Sequence, residues 1–116
     1  MKDIVNRTFD FATRIVRLCN YLDHRYGVAR TLSRQLLRAG TSIGANVEEA
    51  QAGQSRADFI SKYAIALEEA LETHYWLRLI AAAEIVPQAR LSGLQTEADE
   101  LRRIIAAIIV SSKTRH

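Results

Sequence analysis

The fold is decided by the first apolar-patterned segment, residues 3–25, which reads DIVNRTFDFATRIVRLCNYLDHR. Its apolar residues recur every three or four positions, and this spacing predicts an α-helix with one face turned toward a core. Gly27 supplies the break that ends the segment. Three more segments repeat the pattern. The predicted helices cover about residues 3–25, 28–50, 56–84 and 87–112, so we expect an all-α chain.

Cap and turn signals separate the later helices. Gly53 centres a turn, and Ser55 followed by Asp58 resembles a capping box at the start of the third helix. Pro87 is predicted as the first residue of the fourth helix, because its missing N–H would be unpaired there anyway. Short connections make neighbouring helices antiparallel. The sequence therefore predicts a single domain, residues 1–116, folded as an up-down-up-down four-helix bundle.

Composition limits the cellular setting. The chain has 116 residues, of which 48% are hydrophobic, with one cysteine and one proline. A lone cysteine cannot form an internal disulfide, which favours a reducing compartment. The longest uncharged apolar run, residues 104–110, is far shorter than the roughly 20 residues that span a bilayer. We therefore expect a cytoplasmic protein that does not enter the membrane.

Apolar residues exceed what one bundle core requires. The first helix carries two adjoining apolar stripes, although a core needs only about three positions in seven. The first stripe joins Ile4, Phe11, Ile15, Leu18 and Leu22, and the second joins Val5, Phe9, Ala12, Val16 and Cys19. The excess predicts a ring-like homo-oligomer, the alternative being a monomer with well-buried helices.

Two glycines in the second helix carry a separate signal. Gly40 and Gly44 lie four residues apart, on one helix face. Each costs about 1 kcal/mol in a helix interior, so the pair predicts that a neighbouring backbone approaches closely there. A kink is the alternative.

Charge is sorted along the chain. Residues 1–47 hold eight basic and three acidic side chains, residues 48–100 hold four and ten, and residues 101–116 hold four and none. Arginines on one face of the second helix repel one another unless something acidic lies opposite. Either acids of the third helix (Glu68, Glu69, Glu72) neutralise these arginines, or the phosphate groups of a nucleic acid do. The candidate nucleic-acid contacts are Arg30, Arg34, Arg38, Arg102 and Arg103, with Lys113 and Arg115 beside them.

Catalytic and metal-binding patterns are missing from the sequence. Glu-x-x-His, which a di-iron bundle requires, occurs nowhere, and no phosphate-binding loop or nucleophile motif is present. Cys19 lies on an apolar face, as an inert thiol does, and His74 is predicted at a helix interface. We predict no enzyme, no cofactor and no small-molecule substrate.

Acidic residues of the second and third helices form a different pattern. Asn46 and Glu49 share one helix face, and Glu69 and Glu72 share a face of the next helix. Buried carboxylates need partners, so these four are predicted to form a polar network with arginines or with helix backbone groups. A metal site is the alternative, but it lacks histidine support.

Two motifs resemble the 23S rRNA intervening-sequence protein family of small bacterial four-helix bundles. The family pattern falls on Ser42, Ile43, Asn46, Val47 and Glu49, then on Glu69, Glu72, Tyr75, Trp76 and Leu77, and residues 97–101 resemble its final segment. Glu48 replaces the family's small residue and Ala50 replaces its glycine. The resemblance covers essentially the whole chain.

The resemblance implies a homopentamer around a central channel. It also implies relatedness to the accessory protein of diversity-generating retroelements, a basic pentamer that binds nucleic acid and a reverse transcriptase. Our leading hypothesis is a non-enzymatic, ring-forming bundle that offers a basic surface to RNA, DNA or a nucleoprotein partner. The alternatives are a protein-protein adaptor without a nucleic-acid role and a metal-dependent enzyme built on Glu49, Glu69 and Glu72.

Overall fold

A computed structural model describes residues 3–114, which form four α-helices. They are α1 (Ile4–Leu22), α2 (Val28–Gln51), α3 (Arg56–Ala82) and α4 (Gln88–Thr114). No strand occurs in this part of the chain, and the bundle measures 51 × 22 × 21 Å. The predicted all-helical, four-helix fold is confirmed. Arg115, named above beside the candidate contacts, lies outside the described residues.

The helix ends follow local capping chemistry. Asp3 accepts a hydrogen bond from the Asn6 N–H at the start of α1, and Ser55 accepts one from the Asp58 N–H at the start of α3. The first helix ends at Leu22, earlier than predicted, and Gly27 then turns the chain with φ +79°. Pro87 lies one residue before α4 rather than within it, and its carbonyl oxygen accepts from the Arg90 N–H.

Consecutive helices run antiparallel, as do α1 and α4. In each pair, residues further along one helix meet residues less far along the other. The contacts are Cys19–Ser33 and Thr8–Gly44 between α1 and α2, and Arg38–Glu69 and Gln51–Tyr63 between α2 and α3. Leu77 contacts Gln95 between α3 and α4, where Phe59 and Ser112 line one cavity. Arg7 contacts Glu97, and Arg14 contacts Gly93, between α1 and α4. The up-down-up-down arrangement follows from these contacts.

The core holds one stripe from each helix. Its largest fully enclosed side chains are Phe11, Ile15, Leu22, Leu36, Ile43, Tyr63, Leu77, Ile80, Leu91, Leu101 and Ile105. Three polar residues are buried with them, and the hydroxyls of Thr8, Ser33 and Thr73 each donate to a backbone carbonyl. No buried side-chain N or O atom of the described residues lacks a hydrogen-bond partner. No helix there is long and apolar enough to cross a membrane.

Much of the apolar excess stays on the surface. The second stripe of α1 leaves Phe9 and Val16 exposed, and α3 leaves Leu71 and Tyr75 exposed. The apolar residues of α3 are distributed over all sides of the helix, a pattern typical of a helix that is covered all round. A single copy of the chain does not cover it, and self-assembly therefore stays a prediction.

The two glycines of α2 allow the close approach that the sequence predicts. A Cβ at Gly40 would lie 2.8 Å from Ile15 Cγ2, and one at Gly44 would lie 3.3 Å from the Thr8 carbonyl oxygen. Both glycines are buried, and α2 continues through them without a break. The absence of a side chain lets α1 pack directly on α2.

We expect Gly40→Ala to lower the free energy of unfolding relative to Gly93→Ala by about 1–3 kcal/mol, the usual cost of overpacking a core. Both variants gain about 1 kcal/mol of helix propensity. At Gly40, however, the added methyl meets the β-branched, fully buried Ile15, whereas at exposed Gly93 it meets only the mobile end of Arg14. Urea denaturation of both variants measures the difference, and equal midpoints would contradict the close packing.

Candidate nucleic-acid interface

Two of the three predicted arginines of α2 pair with acids of the same chain. Arg30 Nε lies 3.4 Å from the Asp23 carboxylate, just after α1, and Arg38 contacts acids of α3. Arg34 lies between them on the exposed side of α2 and makes no ion pair within residues 3–114. The regular spacing of the three side chains therefore does not give them equal surroundings.

Arg38 lies at the centre of a polar cluster between α2 and α3. Its Nη1 lies 3.2 Å from Glu69 Oε2, and its Nη2 donates to Glu72. Trp76 Nε1 also donates to Glu72, at 3.0 Å. The Glu69 side chain is only 17% exposed, against 36% for Glu72 and 50% for Arg38. Acids of the third helix thus form ion pairs with Arg38 within one copy of the chain.

The predicted contacts on α4 also have an acidic partner. Arg102 Nη2 and Arg103 Nε lie 2.6 and 3.0 Å from the carboxylate of Asp99. The hydrogen bond from Arg102 lowers the pKa of Asp99, against a smaller opposing effect of burial, and Arg103 and His74 add to the lowering. A lowered pKa means that this pairing is present above the usual Asp range and is lost only as the pH falls through the folded-state pKa.

The four residues of the predicted polar network lie in three places. Glu69 and Glu72 share Arg38, while the Asn46 amide donates to a backbone carbonyl one turn earlier in α2. Glu49 accepts from Lys62 Nζ at 2.7 Å. Lys62 precedes Glu69 by two helical turns, about 10 Å along α3, so the register of α2 on α3 keeps Glu49 away from the other carboxylates.

The distance of Glu49 from Glu69 and Glu72 also decides whether these three carboxylates could bind a metal ion together. Within residues 3–114 no three His, Cys, Asp or Glu side chains are grouped so that they could hold a metal ion. Glu49, Glu69 and Glu72 therefore do not form the predicted alternative site.

Three other arginines, Arg14, Arg25 and Arg90, lie where α1 meets α4, and Arg17 is exposed on α1 one turn after Arg14. We call these four residues the α1–α4 basic face. Arg14 Nη2 reaches to 3.1 Å from the place of a Cβ at Gly93 in α4. Arg25 Nη1 donates to the Ile85 carbonyl oxygen at 2.5 Å, next to the start of α4. None of the four makes an ion pair with any other described residue.

An aromatic ring belongs to the same surface. The Arg90 guanidinium lies 5.4 Å from the centre of the Tyr21 ring, which is half exposed. Tyr21 follows Arg14 by seven residues, about 10 Å along α1. This face therefore combines unpaired guanidinium groups with a ring on which a base could stack.

The fold explains why these arginines lack acids. Residues 85–96 contain no Asp or Glu, so the first turns of α4 offer nothing to neutralise the end of α1. One turn later, Glu97 and Glu100 accept hydrogen bonds from Arg7, and these raise the pKa of its guanidinium. The acid-free segment is visible in the sequence, but its position beside α1 is not, and sequence analysis therefore missed this face.

Cys19 is enclosed between α1 and α2. Its thiol donates to the Ser33 carbonyl oxygen at 3.4 Å, and its exposed fraction is 4%. Burial raises the pKa of the Cys19 thiol, with a smaller opposing contribution from the Ser33 hydrogen bond. The thiol is therefore largely protonated at neutral pH, as expected of an inert cysteine.

Comparison with known proteins identifies a family and solved structures that are similar to this chain. The family model described as 23S rRNA-intervening sequence protein matches residues 2–107. A crystal structure from Bacteroides thetaiotaomicron, described as a protein of unknown function from the S23 ribosomal protein family, is 40% identical, with a TM-score of 0.86. The alignment covers 92% of this chain and 98% of that one. No curated protein matches the chain.

We expect Arg38→Ala to lower the free energy of unfolding by about 0.5–1 kcal/mol, the range for partly exposed ion pairs, and to shift tryptophan emission. Trp76 is the only tryptophan, and it shares Glu72 with Arg38. Arg17→Ala is the matched control, because Arg17 is exposed and makes no ion pair with an acid of residues 3–114. The two measurements are urea denaturation and the emission maximum. Equal effects of both substitutions would contradict the cluster.

We expect the Cys19 thiol of the folded protein to react with a thiol reagent at pH 8 roughly a hundredfold more slowly than in urea, because reaction requires local opening. The absorbance of released thionitrobenzoate follows the reaction. Equal rates in the two conditions would show that Cys19 is accessible.

Proposed function

The chain belongs to the 23S rRNA-intervening sequence protein family, and on that premise we propose that it is a non-enzymatic bundle that assembles with itself and binds nucleic acid through the α1–α4 basic face. The supporting observation is the group of arginines there that no acid of the described chain neutralises. The description of the matched family names no enzymatic activity.

Phosphate groups are the ligand that this face suits best. An arginine without an internal carboxylate keeps its full charge and its donors for a phosphate oxygen, whereas a carboxylate already beside the guanidinium offsets that charge. Such contacts carry no sequence information, so we propose binding that depends on charge and salt rather than on base sequence. The family's name refers to 23S rRNA, which makes single-stranded RNA the first ligand to test.

Assembly would strengthen weak contacts of this kind. One copy offers four arginines, and several copies held together offer the same face repeatedly to one strand. Each later contact is then intramolecular, which raises the overall affinity without any new interaction.

A protein-protein adaptor is the second candidate. It is favoured by the pairing of Arg30, Arg38, Arg102 and Arg103 with acids of their own chain, together with the exposed apolar residues of α1 and α3. In that case the assembled protein would offer its surface to another protein and not to nucleic acid.

We expect the purified protein to retard single-stranded RNA at about 50 mM salt and to release it as salt rises. Substituting both Arg14→Gln and Arg17→Gln should weaken binding roughly tenfold. It should also reduce the slope of log affinity against log salt by about 1.4, since each phosphate contact on a single strand contributes about 0.7.

The comparison variant carries Arg102→Gln and Arg103→Gln, an equal change of charge at arginines already paired with Asp99. A larger loss in this variant would place the contact on the residues predicted from sequence and reject the α1–α4 basic face. Absence of retardation at about 50 mM salt would reject the nucleic-acid role and leave the adaptor.

A further inference from the structure

A groove with exposed apolar walls runs between α1 and α2. Val16 and Leu37 line it, with exposed fractions of 47% and 38%, and Arg34 lines the same stretch. Phe9, 61% exposed, lies two turns before Val16 on the same side of α1. We call these four residues the α1–α2 groove. Its one unpaired charge is Arg34, which has no acidic partner in the described chain.

The outward side of α3 carries large apolar residues where a bundle helix is usually polar. Leu71 and Tyr75 are about half exposed, and Glu68 precedes Leu71 by one turn. We call these three residues the α3 outer face. Glu68 is exposed and makes no ion pair within residues 3–114.

Side-chain sizes are inverted in the middle of α3, between Ala66 and Tyr75. Three of its core positions hold the small residues Ala66, Ala70 and Thr73, all fully buried, while the outward positions hold Leu71 and Tyr75. A helix that packed only against its own bundle would gain more from the opposite order, since burial stabilises in proportion to the apolar area removed from water. The order observed indicates that something covers the α3 outer face.

The groove and the Glu68 end of the face are complementary in charge. Most of α1 and α2 lies in the segment with eight basic and three acidic residues, and most of α3 lies in the segment with four and ten. Beside its apolar residues the groove carries the unpaired Arg34, and the face carries the unpaired Glu68 one turn before Leu71. At the other end of the face, Arg78 makes no ion pair within the described residues and lies 5.9 Å from the centre of the Tyr75 ring. Opposite charges placed in this way set the orientation of a contact that apolar burial drives.

We propose that the α3 outer face of one copy docks in the α1–α2 groove of a second copy, where Glu68 pairs with Arg34. The inference rests on the self-assembly proposed above and names its interface. The two surfaces are different parts of the chain, so the contact is head-to-tail, the type that closes into a ring when the rotation between copies permits.

Charge exchange tests this interface. Arg34→Glu and Glu68→Arg, each alone, place like charges opposite each other and should raise the dissociation constant for self-assembly at least tenfold. The protein carrying both substitutions should assemble as the original does. An equimolar mixture of the two single variants should form mixed assemblies of larger mass than either variant alone, because the altered groove of one matches the altered face of the other and the two unaltered surfaces match each other.

Light scattering after size exclusion, at micromolar protein, measures assembly, and circular dichroism checks that each variant is helical. Lys113→Glu, an exposed charge change at the end of α4, is the control and should keep the original mass. Leu71→Gln, which removes apolar contact without adding charge, should weaken assembly in a chain that still folds.

The outcomes separate the interface from the wider proposal. Single variants of unchanged mass, or a double substitution that fails to restore assembly, would overturn this interface and leave self-assembly standing. A monomeric original protein at micromolar concentration would overturn both. Retardation of RNA by folded, monomeric single variants would show that nucleic-acid binding is independent of the interface.

Discussion

The close contact of α1 with α2 is the constraint on which the rest of the structure depends. Gly40 and Gly44 remove the side chains that would hold the helices apart, and Ile15 and Thr8 occupy the space. That contact fixes the antiparallel register of the first two helices. It also decides which apolar residues of α1 are enclosed and which remain outside in the α1–α2 groove, because a rotation of α1 would drive the buried Ile15 against the backbone of α2.

Ion pairing then sorts the arginines into two groups. Those that face an acid across a helix interface, such as Arg7 and Arg38, form ion pairs that link neighbouring helices. Those beside the acid-free start of α4, such as Arg14, keep their charge for a ligand. The chain's net charge of +3 is small, but the α1–α4 basic face groups four arginines that make no ion pair in the described chain. The proposed binding of nucleic acid depends on this local distribution and not on the total.

The two proposed contacts use different surfaces and are compatible. The α1–α4 basic face lies on the side of α1 that meets α4, whereas the α1–α2 groove lies on its other side. Arg34, which sequence analysis grouped with the nucleic-acid contacts, is assigned by our proposal to the contact between copies. A repeated head-to-tail contact would leave the basic face of every copy open to solvent, so that assembly and phosphate binding would reinforce each other.

Local patterns in the sequence determined the four helices, the caps at Ser55 and near Pro87, the close approach at Gly40, and the surplus of apolar residues, since helix periodicity and capping depend on residues a few positions apart. Partnerships between distant residues were decided only by the tertiary structure. The equal spacing of Arg30, Arg34 and Arg38 gave no sign that two of them pair with acids and one does not. The cluster that includes Arg14 forms only because α4 begins beside the end of α1. Both outcomes depend on the register between helices, which interdigitation of side chains across the whole core sets and no short segment encodes.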